Sequence, residues 1–239
     1  MEFGPPEIMA VAMARLLRDG ELVFNGVGST LPMLAIELAR RLHAPNLVYL
    51  NIGGGIDARP QTLPFSSSDP ALLAGTPGIV DQVEFYQLVM RGQLDVMFLG
   101  AVQIDAAGRT NSSVIGDLER PQVRLPGGGG AAVIMPTARR VILWRTKHDH
   151  RTFVEKLGFV TAAGNVDRVV TPLCVMRRVE DHLAVESLHP GVRPETVRAH
   201  TGFALGIPPD CPETPPPTAD ELRVIREFDP KDYRALDFQ

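Results

Sequence analysis

The chain has 239 residues, of which 44% are hydrophobic, 24 are Lys or Arg and 28 are Asp or Glu. That length and apolar content suffice for one large core or two small ones. A formal charge of −4 offers no broad positive field to a phosphate backbone, which argues against nucleic acid as partner, and no run reaches the roughly eighteen apolar residues of a membrane span.

The stretch "MEFGPPEIMA" carries neither the basic region nor the apolar run of a secretory signal, so a cytoplasmic location is expected. Cys174 and Cys211 lack CxxC spacing, and two reduced thiols in core or loop are expected rather than a zinc knuckle or a disulfide.

In chain order, Ile8, Met9, Ala12, Met13, Leu16 and Leu17 recur at helical spacing over 6–18, and Asp19-Gly20 supplies a stop. "ELVFNG" follows as a short strand ending in Gly26 and Gly28. Thr30 then caps a helix with Leu31, Leu34, Ala35, Leu38 and Leu42 on one face, and "NLVYLNI" is the next strand. Strand, glycine turn, helix, strand is a βαβ grammar, so the expected fold class is α/β with a mostly parallel sheet.

After Gly53, Gly54 and Gly55, prolines and the serines at 66–68 break every period, which predicts a long loop with the serines solvated. A helix is expected over 81–90, then one buried strand "LDVMFLGAVQI" that carries Gln103 out of the sheet. Asp105 to Gly108 turns the chain back into "RTNSSVI". A second glycine run, Gly127, Gly128, Gly129 and Gly130, precedes a small-residue helix and the strand "RRVILWRT".

"VDRVVTPLCVM" reads as one further strand, and Glu180-Asp181 as a hairpin tip. A short helix is expected near "PETVRAHTG". "PPDCPETPPP" reads as a rigid linker, and Thr218 with Glu221 forms a capping box for a last helix whose Leu222 and Ile225 must dock on something. The expected organisation is a domain over 1–207 followed by a linker and docking helix over 208–239.

Glycines at strand ends let a ligand approach closely and aim N–H groups at anionic oxygen. Either run alone reads more readily as a tight turn, and two such runs, both following strands, bring the ligand reading level with it. No complete GxGxxG, GxxxxGK[ST] or GxSxG occurs, which argues against dinucleotide, P-loop and nucleophile-elbow chemistry. His148 and His150 in "KHDH" have metal-ligand spacing without a third ligand, so a solvated strand end is expected. His43, His182, His189 and His200 are expected at the surface, and no metal site is predicted. Gln103 stands where open α/β sheets place ligands or, equally, is a satisfied polar residue at the sheet margin, with Asn111 and Ser112 weaker candidates beside it.

"LRDGELVFNGVGSTLP", "RGQLDVMFLGAVQIDAAGRTNSS", "LPGGGGAA", "ARRVILWRTKH", "VVTPLCVM" and "PPTADELRVIREFDP", in that order, resemble the β subunit of class I coenzyme A transferases across nearly the whole chain. The resemblance implies an open α/β sandwich, an acyl-CoA ligand, no cofactor beyond the coenzyme A carried by the substrate, and an α-subunit partner in an α₂β₂ assembly. It also places the family's catalytic glutamate at Asn51. An amide is a far poorer nucleophile than a carboxylate, but it can donate to an oxyanion and hold a water.

The branch of the family that lacks this glutamate hydrolytically opens the last carbocyclic ring of a cholesterol-derived acyl-CoA, its α subunit supplying the acid/base carboxylate. By that resemblance Asn51 and Gln103 are expected as orienting residues, with Gly53 to Gly55 and Gly127 to Gly130 as substrate-binding backbone. The alternatives are a true CoA transferase acting on small acids, with Glu84 as an unpromising buried stand-in, and a non-catalytic scaffold that completes the partner's cleft.

Overall fold

A computed structural model describes residues 2–238. The chain divides into two compact units, the first built from residues up to Leu99 together with Pro216 onward, the second from Gly100 to Pro215. The expected division at 207/208 gives way to these two crossings. The one at 99/100 is silent in the sequence because it falls inside an apolar strand, with no Pro-rich or polar linker to mark it.

In the first unit β1 (Leu22–Asn25) pairs in parallel with β2 (Val48–Leu50) on one side and β5 (Val96–Gly100) on the other. Two short strands, β3 (Gly55–Ile56) and β4 (Gly78–Ile79), extend the β2 margin in antiparallel fashion. Helix α1 (Pro5–Arg15) begins at a proline and is buried from Ile8 to Ala14. Helix α2 (Thr30–Leu42) is the crossover between β1 and β2. Proline at a first helical turn forfeits no hydrogen bond, and a crossover helix is what parallel neighbours require. Helix α3 (Gln82–Met90) carries a full capping box between Asp81 and Glu84.

In the second unit β10 (Arg140–Trp144) pairs in parallel with β11 (Val166–Val170), followed by antiparallel β12 (Cys174–Val179) and β13 (His182–Leu188). Parallel pairing at the centre with antiparallel pairing at the margins is the α/β class and mostly parallel sheet anticipated above. Two small antiparallel ribbons complete this unit: β6 (Gln103–Ile104) with β7 (Thr110–Asn111), and β8 (Val114–Gly116) with β9 (Pro121–Arg124). Helices α4 (Ala131–Thr137) and α5 (Pro194–Ala199) are short.

Two predicted strands are divided. "LDVMFLGAVQI" breaks after Gly100, so Gln103 opens a separate ribbon instead of ending β5. "VDRVVTPLCVM" breaks at Thr171–Leu173, where Pro172 has no N–H for a ladder and the Thr171 N–H donates to the Cys174 carbonyl at 3.1 Å. Pattern alone does not reveal a reversal between two equally apolar halves.

Helix α6 (Ala219–Phe228) returns to the first unit, burying Leu222, Val224, Ile225 and Phe228 against α1 and α2. Arg15 clamps its N-terminal turn, donating to Glu221 at 2.9 and 2.7 Å. Beyond it, Arg234 pairs with Glu7 and Asp229, and the Asp237 carboxylate accepts from the Leu31 N–H in the first turn of α2 at 3.2 Å. No helix among the described residues is long and apolar enough to cross a membrane.

Candidate active site

Asn51 leaves β2 and is only 1% exposed. Its Oδ1 accepts from the N–H groups of Gly53 and Gly55 at 3.0 and 3.1 Å, and its Nδ2 donates to the Leu72 carbonyl at 2.7 Å. Backbone bonds from Asn51 N–H to Gly55 O and from Gly54 N–H to Asn51 O close the same turn. This position demands both a donor and an acceptor, which an amide supplies and a carboxylate does not: an acid would set an oxygen against the Leu72 carbonyl. The side chain anticipated to face a ligand is turned into its own loop.

The glycines of this turn are bare for a related reason. Gly54 has φ +85°, and a Cβ there would overlap the Val80 carbonyl; at Gly55 it would lie 2.7 Å from Asn51 Nδ2 and 2.8 Å from the Leu72 carbonyl. The chain's own loop occupies that space, and Gly53 alone of the three is exposed. The turn after β1 is closed as well, since Ser67 is buried and its Oγ accepts the Gly28 N–H at 2.9 Å instead of being solvated. Glu84, expected to be buried, is exposed and accepts from the Asp81 N–H as part of the α3 cap.

The second unit gathers a different set. Gln103 faces Asn111 across the β6–β7 ribbon, and Asn111 Nδ2 donates to Gln103 Oε1 at 2.9 Å. Asn111 is wholly buried, its Oδ1 accepting from the N–H groups of Ser113 and Val114. Thr161 ties this group together: its Oγ1 accepts from the Ser112 N–H at 2.9 Å and lies 2.7 Å from Ser113 Oγ. Sequence reasoning missed Thr161, because a lone threonine after a loop carries no pattern.

Gly127 to Gly130 run beside this cluster, with the Gly127 N–H donating to the Ser112 carbonyl at 2.7 Å. A Cβ on Gly128 would lie 2.5 Å from Thr161 Cγ2, whereas Gly127 (φ +96°) and Gly129 (φ +50°) face open space. Among the described residues the N–H groups of Gly128, Gly129 and Gly130 have no acceptor within the chain. Asn51 and Gly53–Gly55 belong to the first unit, Gln103 and Gly127–Gly130 to the second, and the structure brings residues together within each set.

Two histidines expected at the surface are buried. His148 bonds Thr171 Oγ1 at 2.9 Å and Thr201 Oγ1 at 3.0 Å, while His189 bonds Thr214 Oγ1 at 3.0 Å and the Thr171 carbonyl at 2.8 Å. Burial pushes both pKa values down to about 4, so both rings are neutral near pH 7. Burial also raises the Cys174 thiol to about 12, which makes it inert. No group of three or more His, Cys, Asp or Glu side chains placed to hold a metal ion occurs among the described residues.

The site elements are thus an α/β chain's two glycine turns, one locked by an amide and a second whose backbone N–H groups are open. Residues 7–200 match the family described as coenzyme A transferase. The chain is 38% identical to the B-type subunit of the 3-oxoadipate CoA-transferase of Pseudomonas knackmussii, over 93% of its own length and 92% of that protein's. It is 31% identical to the cholesterol ring-cleaving hydrolase IpdB subunit of Mycobacterium bovis, over 95% and 96% of the two chains. Among solved structures, the decarboxylase AibA/AibB superposes with a TM-score of 0.93 at 31% identity, covering 98% of both chains. This chain belongs to the coenzyme A transferase family.

Proposed function

We propose that the chain is the β subunit of a two-subunit, α₂β₂ enzyme that cleaves a carbon–carbon bond of an acyl-CoA, opening the last carbocyclic ring of a steroid-derived thioester with water. The observation that carries this reading is the Asn51 turn, where the family's glutamate would stand and an amide is locked by three hydrogen bonds of its own loop. Covalent transfer needs a carboxylate free to attack the thioester and accept coenzyme A. Asn51 instead acts as a positioning residue that fixes the wall formed by Gly53, Gly54 and Gly55.

The chemistry balances with water alone. Water adds to a ring carbonyl as a base on the partner subunit takes its proton. The adduct then collapses to a carboxylate, and the broken carbon–carbon bond leaves its electron pair as an enolate that is afterwards protonated. The open N–H groups of Gly128 to Gly130 would donate to the developing oxyanion, with Gln103 and Asn111 supporting that loop's surroundings. The similar proteins include a decarboxylase and a ring-cleaving hydrolase, which supports a reaction that breaks a carbon–carbon bond.

The reading is tested by turnover of the co-purified pair in ¹⁸O-water. One solvent oxygen in the new carboxylate is expected, and Gly129→Ala, which places a methyl over the open loop, should lower kcat/KM by roughly tenfold or more with an unchanged fold. Acyl exchange between free acids and CoA thioesters, with hydroxylamine trapping an enzyme-bound acyl or thioester group, would overturn it. That outcome is the second reading, a CoA transferase acting on small acids, favoured by the 38% identity to part of a 3-oxoadipate CoA-transferase. A third outcome, unchanged turnover in Gln103→Ala and Gly129→Ala with assembly intact, assigns the chain a scaffolding role.

A further inference from the structure

Arg145 is the first residue beyond β10, at the carboxyl edge of the β10–β11 pair, where its N–H donates to the Val170 carbonyl at 3.1 Å. Its side chain is partly buried, and Nε is sealed from solvent with no acceptor. Among the described residues no carboxylate lies within ion-pair distance of this guanidinium and no acceptor within hydrogen-bond distance of any of its nitrogens, yet only Nε is sealed. The two terminal nitrogens are therefore open and unclaimed.

Other partly or wholly buried arginines are provided for. Arg40 has Glu37 and Asp57, Arg168 has Asp167 and Glu186, and Arg234 has Glu7 and Asp229. Asp149, whose charge Arg145 feels, already accepts from the N–H groups of Arg151 and Thr152. A partly desolvated, permanently charged group without a counter-charge is costly, and such a cost is retained where an anion supplies the missing partner.

The position fits. Ligands of open α/β sheets bind beyond the carboxyl ends of strands. The loop that Arg145 begins runs past Gln103, whose Nε2 reaches the Arg151 carbonyl at 3.5 Å, while the next residue, Ile104, donates its N–H to the Thr152 carbonyl at 2.7 Å. We propose that the open fork of Arg145 is an oxyanion-binding site that takes a carboxylate or phosphate group of a small-molecule ligand. A planar guanidinium matches both groups in bidentate fashion, and the two sources are separable by experiment. The site does not depend on which acyl-CoA reaction the enzyme performs.

Trp144, the only tryptophan of the chain, immediately precedes this residue and reports on it. The full chain would be titrated with inorganic phosphate, coenzyme A and glutarate at matched ionic strength, following Trp144 emission and Tm. At least one probe should bind the wild type, with affinity at least about tenfold weaker in Arg145→Gln and intermediate in Arg145→Lys. Binding of phosphate and coenzyme A without glutarate identifies a phosphate source, and binding of glutarate a carboxylate. If no probe shifts either signal, or if Arg145→Gln binds as tightly as the wild type while retaining its far-ultraviolet spectrum, the assignment is wrong.

Discussion

At the scale of single residues, the Asn51 turn explains why an amide suits this position and an acid does not, since the side chain both donates to the Leu72 carbonyl and accepts from two glycine N–H groups. Asn51→Asp keeps the size and removes the donor to Leu72, leaving a buried charge against a carbonyl. A loss of about 2–4 kcal/mol is expected in urea unfolding, more than for an exposed Asn→Asp change elsewhere. Gly54→Ala forces both a left-handed φ and an overlap with the Val80 carbonyl, so a comparable loss of about 2–4 kcal/mol is expected. Near-wild-type stability in either variant would show that the turn is softer than its geometry. The identity of the turn was legible from "NIGGG"; the direction of the Asn51 side chain was not, because its partner Leu72 lies 21 residues away in a single 3₁₀ turn, Pro70–Leu73, too short to show a period. Arg145 was silent for the converse reason: what marks it is a missing partner, and sequence patterns record residues that are present.

At the scale of elements, periodicity located α1, α2, α3 and α6 and the parallel strands, because amphipathic spacing and capping residues are local properties. What local signals could not supply was the interruption of continuous apolar runs at Gly100 and at Thr171–Leu173, where the chain reverses or steps aside without losing hydrophobicity. Helix α6 shows how a legible element acquires an unexpected place. Its capping box was readable, while its seat on α1 and α2 depends on Arg15 and on the wholly buried Phe228, which carries the Leu63 N–H on its carbonyl at 2.7 Å. Phe228→Ala should cost about 3–5 kcal/mol, measured as a fall in the denaturation midpoint. Arg223→Ala on the solvent side of the same helix, where Arg223 makes only exposed ion pairs with Asp220 and Glu227, should change it little.

At the scale of the whole molecule, stability should depend on pH through His148 and His189. Their folded-state pKa values of about 4 lie below the ordinary 6.5, so an unfolded chain binds protons first as pH falls. The contribution is complete above pH 6.5 and is lost progressively toward pH 4, by roughly 3 kcal/mol per histidine at the lower limit. In Asp149 and Glu221 burial is outweighed by hydrogen bonds that lower the carboxyl pKa, which adds losses at more acidic pH, whereas burial raises the Asp237 carboxyl and acts in the opposite sense, so comparison with a His189→Gln variant is what identifies the ring contribution. A Tm that stays flat as pH falls from 6.5 to about 5, or a His189→Gln variant with the wild-type slope, would contradict this account.

The first unit is assembled from two separate stretches of the polypeptide, with Gly100 to Pro215 as an uninterrupted insertion between them. During synthesis the inserted segment can complete its contacts while α1 and α2 still lack the cover of α6 and the Asp237 carboxylate over the first turn of α2. Vectorial folding should therefore finish the inserted segment before the unit that flanks it, with nascent α1 and α2 open to chaperones until α6 clears the ribosome.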